Sequence, residues 1–251
     1  MTDLPRHPHG HVLFSGDHRL EGILEWPAGV GDNSATGGEG GPRVAGGVVV
    51  AHPHPLYGGT MVQPVVYRVA QACRERGFAS LRFNFRGVGQ SEGRYSGSEE
   101  YRDVEAASAF LRGRLAAGES VAAGGGRPPP LALAGYSFGS AMAALAAGAG
   151  AVPVQALALV ALVVGWEGSP PGALDGLARF QGPVLAVCGE SDDLAPPDVV
   201  ERALTGLRLD VRLAVVAGAG HLFEHKQREV GEQVAAFFAD ALGGKRPKKG
   251  E

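Results

Sequence analysis

A hydroxyl, an imidazole and a carboxylate can together run acyl transfer, and this chain offers each in a setting that suits the task. Ser137 stands in Gly135-Tyr136-Ser137-Phe138-Gly139, a full G-x-S-x-G. The spacing has a steric logic: a nucleophile on a sharp strand-to-helix turn leaves room only for residues without side chains two positions to either side. The turn would push the hydroxyl out of the sheet and aim the following helix N-terminus at it. A serine hydroxyl is a poor nucleophile until a base accepts its proton. His221, at the end of Ala217-Gly218-Ala219-Gly220-His221, is the candidate base. His7, His9, His11, His18 and His225 read instead as ordinary surface or loop histidines. A third group must fix the imidazole in one tautomer and stabilise its protonated form. Gly189-Glu190-Ser191-Asp192-Asp193 supplies two carboxylates, and on the residues alone either could serve.

The elements that must carry these residues alternate along the chain. His11 to Trp26 alternates loosely around Gly16-Asp17, which predicts a hairpin. Gly47 to Ala51 reads as a buried strand, and Val62, Val65, Val66, Val69, Ala70 and Cys73 recur at helical spacing. Ala79 to Phe85 reads as a strand and Tyr101 to Leu111 as a helix. The second half repeats the rhythm. Strands are expected at Leu131 to Ala134, Ala156 to Val164, Pro183 to Cys188 and Val211 to Val216, and helices over Phe138 to Ala147, Val199 to Leu207 and Val230 to Leu242. Such alternation implies an α/β fold with a mostly parallel sheet covered by helices on both faces. In these sheets ligands bind beyond the carboxyl ends of the strands, and Ser137, Asp192 or Asp193, and His221 all follow predicted strands.

Composition excludes several other classes. The 251 residues, 45% hydrophobic and 20% charged, suit one packed domain over residues 11–242, with a flexible start at 1–10 and a basic flexible tail at 243–251. The formal charge of -3 gives no electrostatic footprint for nucleic acid. The first residues show no basic stretch leading into an apolar run, and Ala156 to Val164 is too short to span a bilayer, so no membrane partner and a cytoplasmic location are expected. Cys73 and Cys188 then read as reduced thiols. With 40 glycines the chain over-uses this residue, and the excess clusters at Gly29 to Gly47, at Gly124 to Gly126 and near the C-terminus; the first two clusters read as surface loops between core elements.

Two further segments carry a resemblance. They are His52-Pro53-His54-Pro55-Leu56-Tyr57-Gly58-Gly59 and Arg82-Phe83-Asn84-Phe85-Arg86-Gly87-Val88-Gly89-Gln90-Ser91. With the elbow they make the chain, over roughly His11 to Leu242, similar to the α/β-hydrolases, and specifically to small bacterial ones related to dienelactone hydrolase and the serine aminopeptidase-like esterases. The order Ser137, Asp, His221 is the one used in that superfamily. The resemblance also chooses between the aspartates, since its G-x-x-D-x-x-x-P pattern falls on Gly189, Asp192 and Pro196. The chain departs from dienelactone hydrolase in having Ser137 in place of a cysteine, and Asn84 stands where many relatives have aspartate.

The resemblance implies an oxyanion hole of the Phe138 N–H and a donor from His52 to Gly59. Pro53 and Pro55 have no N–H. That leaves His54, favoured because it follows the pair in the place of the family's H-G, or Leu56, or the Tyr57 hydroxyl. Leu56, Tyr57, Trp166 and Leu222, with Leu194 and Phe223, are the expected substrate-binding walls. The stretch Gly165 to Gly182 is too short for a cap domain, so the cleft should be open. His52 and His54 have a metal-ligand spacing, but their natural partners, Asp192 and His221, are already assigned, so no metal or other cofactor is expected. Arg82 and Arg86 read as loop ion-pairing residues. The expected activity is hydrolysis of a small ester or thioester through an acyl-enzyme, by a monomer or homodimer. The same three residues would equally serve an acyl-peptide or aminopeptidase-like hydrolase or an acyltransferase, and a scaffold that only binds its ligand is a third reading.

Overall fold

The computed structural model describes residues 10–29, 44–117, 129–165, 170–207 and 209–243. The sequence begins the sheet with the predicted hairpin: His11–Ser15 (β1) pairs antiparallel with Arg19–Glu25 (β2). The apolar runs supply the rest, Gly46–Ala51 (β3), Phe78–Phe83 (β4), Leu131–Tyr136 (β5), Ala156–Val160 (β6), Val184–Gly189 (β7) and Val211–Val216 (β8). Among the described residues these form one sheet of order β1-β2-β4-β3-β5-β6-β7-β8. β2 pairs antiparallel with β4, and all later pairings are parallel. Every residue of β3 through β7 is buried, so helices cover both faces, as continuous apolar strands require.

Helix Pro64–Glu75 (α1) packs against Gln227–Leu242 (α6). Helix Phe138–Ala149 (α3) packs between Tyr101–Ala117 (α2) and Ala173–Arg179 (α4), and Pro197–Thr205 (α5) lies beside β8. Three expectations change. Val62 does not join the core face of α1: the helix starts at Pro64, whose fixed φ suits a first position, and Val62 is left exposed before it. The strand expected to reach Val164 ends at Val160, because Ala161 turns into the left-handed region at φ 49°. The helix expected to end at Leu111 runs on to Ala117 and buries Leu115.

Both motif arginines are structural. Arg86 makes a buried bidentate pair with Asp103 of α2, its Nε and Nη2 donating at 2.7–3.1 Å, and the Asp103 carboxylate also accepts the Arg86 backbone N–H at 2.9 Å. Arg82 donates to Glu25 and to the Met61 carbonyl. Asn84 donates to Glu21 of β2 and accepts the Met61 N–H at 2.8 Å, so one side chain ties the hairpin to the loop after β3. Between β6 and β7 the described residues carry only the seven-residue α4. Trp166 and the expected terminal segments, save for their innermost residues, lie outside the described residues. Among the described residues no helix is long and apolar enough to cross a membrane.

Candidate active site

The carboxyl ends of β3, β5, β7 and β8 deliver His52, Ser137, Asp192 and His221 to one region of the sheet edge. Ser137 holds φ 54° and ψ -116°, a region non-glycine residues occupy at a cost of order 1–3 kcal/mol. Neighbours enforce the turn. The Ser137 N–H donates to the Val160 carbonyl at 2.8 Å, and Ser140 Oγ lies 2.7 Å from Gly135 O and 2.8 Å from Val160 O, its one proton within reach of both. A Cβ on Gly135 would lie 2.2 Å from the Gly139 carbonyl oxygen, and one on Gly139 would lie 2.5 Å from that of Ala51. Both glycines of the motif are therefore required by backbone approaches.

The three residues come together. His221 Nε2 lies 3.0 Å from Ser137 Oγ, and His221 Nδ1 lies 3.0 and 2.9 Å from Asp192 Oδ1 and Oδ2. Asp192 is 2% exposed, and its Oδ1 also accepts the N–H groups of Leu194 at 2.9 Å and Ala195 at 2.8 Å. Burial alone would raise this carboxyl. The hydrogen bonds from His221, Ala195 and Leu194, with the imidazole's charge, outweigh it and hold the pKa below the ordinary carboxylate value. Asp193, the other candidate, is exposed to solvent.

The loop from His52 to Gly59 sorts its own donors. The Leu56 N–H is spent on His54 Nδ1 at 3.2 Å and the Tyr57 N–H on the His54 carbonyl at 3.1 Å. The N–H groups of His54 and Phe138 have no acceptor among the described residues. The peptide carrying the His54 N–H is fixed from behind. Buried His52 accepts the Phe85 N–H at Nε2, 3.1 Å away, so its Nδ1 carries the proton and donates to the Pro53 carbonyl at 2.6 Å. Burial pushes the His52 imidazole down to about 4 and keeps it neutral. In a trans peptide the N–H points opposite the C=O, so anchoring Pro53 O aims the His54 N–H the other way. The His54 ring packs on Tyr57, Tyr95 and Phe138, with Nε2 2.9 Å from the Tyr95 hydroxyl. Both ring nitrogens of each loop histidine are thus engaged by the protein.

A cavity of about 250 Å³ opens beside Ser137, and its described lining carries no Lys, Arg, Asp or Glu. Of the expected walls, Tyr57, Leu194 and Leu222 line it. Leu56 does not; it is 68% exposed on a short helical turn. Phe223 does not either, being fully buried with its ring edge-on to Tyr136. Trp166 lies outside the described residues. Gln63, Tyr136, Ala141, Val163 and Pro170 complete the walls unforeseen. Tyr136 is the one that a sequence signal could have found, since it occupies the first variable place of G-x-S-x-G.

The profile of the alpha/beta hydrolase domain family matches residues 46–242. Among solved structures the chain is similar to an alpha-beta serine hydrolase homologue from Coxiella burnetii, with 29% identity and a TM-score of 0.75, covering 94% of this chain and 100% of that one. It is also similar to a serine hydrolase without a lid from Xanthomonas campestris, with 25% identity and a TM-score of 0.71, covering 97% and 100% of the two chains. An uncharacterised protein from Rickettsia prowazekii is 27% identical over 204 residues, 76% of this chain and 77% of that protein.

Proposed function

The chain belongs to the α/β-hydrolase family, and from that premise we propose that it hydrolyses a small, neutral carboxylic ester or thioester through an acyl-enzyme on Ser137. One observation carries the reading: an unbroken line of hydrogen bonds from the Asp192 carboxylate through His221 to Ser137 Oγ, ending at the cavity. The uncharged lining supports a neutral acyl group, since an anionic one would find no cation among the described walls.

The chemistry follows from this arrangement. Ser137 Oγ attacks the acyl carbonyl while His221 Nε2 takes its proton, and Asp192 stabilises the imidazolium through Nδ1–H. The carbonyl oxygen becomes an oxyanion facing the uncommitted N–H groups of Phe138 and His54, with the first turn of α3 adding its positive end. Collapse breaks the bond to the leaving group, which departs with the proton from His221. Water then attacks the acyl-enzyme, gives a proton to the same nitrogen, and the second intermediate releases the acid as Ser137 regains its hydrogen. The separate reading as a peptide hydrolase draws on the same groups and on no additional observation.

The test is covalent labelling with a fluorophosphonate, followed by turnover of p-nitrophenyl esters and aminoacyl nitroanilides. Label should map to Ser137, esters should turn over in preference to anilides, and Ser137→Ala should cost on the order of 10⁶ in kcat. Label at another serine, or an active Ser137→Ala enzyme, overturns the proposal.

A further inference from the structure

The position of His221 depends on more than Asp192. The base sits on the loop after β8, and that loop is not restful. Two residues beyond His221, Phe223 holds φ 50°, and His225 holds φ 61°, both in the left-handed region that non-glycine residues avoid. Before His221 the loop is tied to its neighbour after β7: the Gly218 N–H donates to Glu190 and the Ser191 N–H to the Ala219 carbonyl. Those bonds reach the loop from the Asp192 side. From the Ser137 side comes one side chain. The Tyr136 hydroxyl donates to the His221 backbone carbonyl at 2.9 Å, and no other donor reaches that carbonyl among the described residues. The Tyr136 ring is 4% exposed, lies 6.0 Å from the His221 ring and meets buried Phe223 edge-on at 6.3 Å.

Tyr136 is also the residue immediately before the nucleophile, at the end of β5. Its backbone is held by the sheet, and its side chain reaches across to the backbone of the base. One rigid phenol therefore spans from the end of β5, beside Ser137, to the main chain of His221, whose Nε2 lies 3.0 Å from Ser137 Oγ. Asp192 fixes the imidazole of His221; Tyr136 fixes its main chain. The geometry points to Tyr136 as a positioning residue that sets the distance between base and nucleophile. This role rests on the proposed reading of Ser137 and His221, and it adds a function to a place in the elbow motif that sterics alone leave free.

Tyr136→Phe keeps the ring and its packing and removes only the hydroxyl. Two readouts test it. By NMR of the histidine-labelled protein, the His221 Nδ1–H resonance, protected in the wild type by Asp192, should broaden or exchange faster in Tyr136→Phe, while the thermal transition moves little. In ester hydrolysis kcat should fall about tenfold, the worth of one hydrogen bond carried into the transition state, with KM unchanged and the same factor for acetate and hexanoate esters. An unchanged Nδ1–H signal overturns the role whether or not esters are cleaved. A loss that grows with acyl size also overturns it, because the hydroxyl would then be acting on the acyl group in the cavity and not on the main chain of His221. If the signal responds while the wild type cleaves no ester, the positioning role stands and the ester reading falls.

Discussion

Asp192→Asn removes one charge and no atoms of the packing, and the structure dictates which way the new amide turns. In the wild type Oδ1 accepts two backbone N–H groups, from Leu194 and Ala195, and lies 3.0 Å from His221 Nδ1, while Oδ2 faces that nitrogen alone at 2.9 Å. An asparagine that keeps its oxygen toward the two backbone donors must present its NH₂ to Nδ1. That nitrogen then has to accept, so the proton moves to Nε2, and the imidazole can no longer take the proton of Ser137. Restoring the productive tautomer means turning the amide over and facing NH₂ to the Leu194 and Ala195 N–H groups. Stranding the buried Ala195 N–H costs about 1–3 kcal/mol and the part-buried Leu194 N–H up to about as much, so the productive state lies about 1–6 kcal/mol uphill. That range spans roughly 5-fold to 3 × 10⁴-fold in rate. The lost carboxylate also stops stabilising the imidazolium, which places the expected fall in kcat near 10⁴. The assay is p-nitrophenyl acetate hydrolysis, with Asp193→Asn as the matched control. Asp193 is exposed, so its variant should stay within about tenfold of wild type. Retention of activity by Asp192→Asn, or a larger loss at Asp193, would refute the argument.

His52 predicts a pH dependence of stability. Its imidazole is held down to about 4 in the fold, against about 6.5 in the unfolded chain, so the folded state binds fewer protons between those values. The contribution is full above pH 6.5 and is lost as pH falls toward 4, by about 3 kcal/mol. Urea titrations of wild type and His52→Gln should diverge across that window, and parallel curves would contradict the buried neutral imidazole. Replacing Arg86 with leucine strands the buried Asp103 carboxylate, so unfolding free energy should drop by about 3–5 kcal/mol, and the double replacement with Asp103→Leu should recover much of it; additive losses would show that the pair is not coupled. The cavity of about 250 Å³ limits the acyl chain. Each buried methylene contributes about 0.8 kcal/mol and a wet one almost nothing. kcat/KM on p-nitrophenyl esters should therefore peak between acetate and hexanoate and fall by decanoate; rates still rising at twelve carbons would mean a deeper acyl tunnel.

The sequence by itself determined the alternation of strands and helices, the elbow at Ser137 and the histidine at the end of β8. Each is a local matter. Gly135 and Gly139 are written into the motif because carbonyl oxygens stand within 2.2 and 2.5 Å of where their Cβ atoms would be, a constraint that leaves its mark as a fixed residue type at a fixed offset. The apolar runs of β3 to β7 announce strands buried on both faces in the same way. Boundaries were less legible: Val164 belongs to an apolar run, yet the strand stops at Val160, because Ala161, which still sends its N–H to the Val187 carbonyl, takes a left-handed φ of 49° and turns the chain out of the sheet. What only the tertiary structure decided are directions. Asp192 and Asp193 are chemically equal neighbours, and the burial of one against His221 separates them. Leu56 and Leu222 look alike as loop leucines, and only the second meets the cavity. The aim of the His54 N–H is set by the ring of His52, itself held by Phe85, 33 residues along the chain. The reach of Tyr136 to the carbonyl of His221 crosses 85 residues. Residue type and spacing record what the neighbouring backbone forbids; where a hydrogen-bonding group points depends on a partner brought close by the assembled sheet, and no local pattern carries that information.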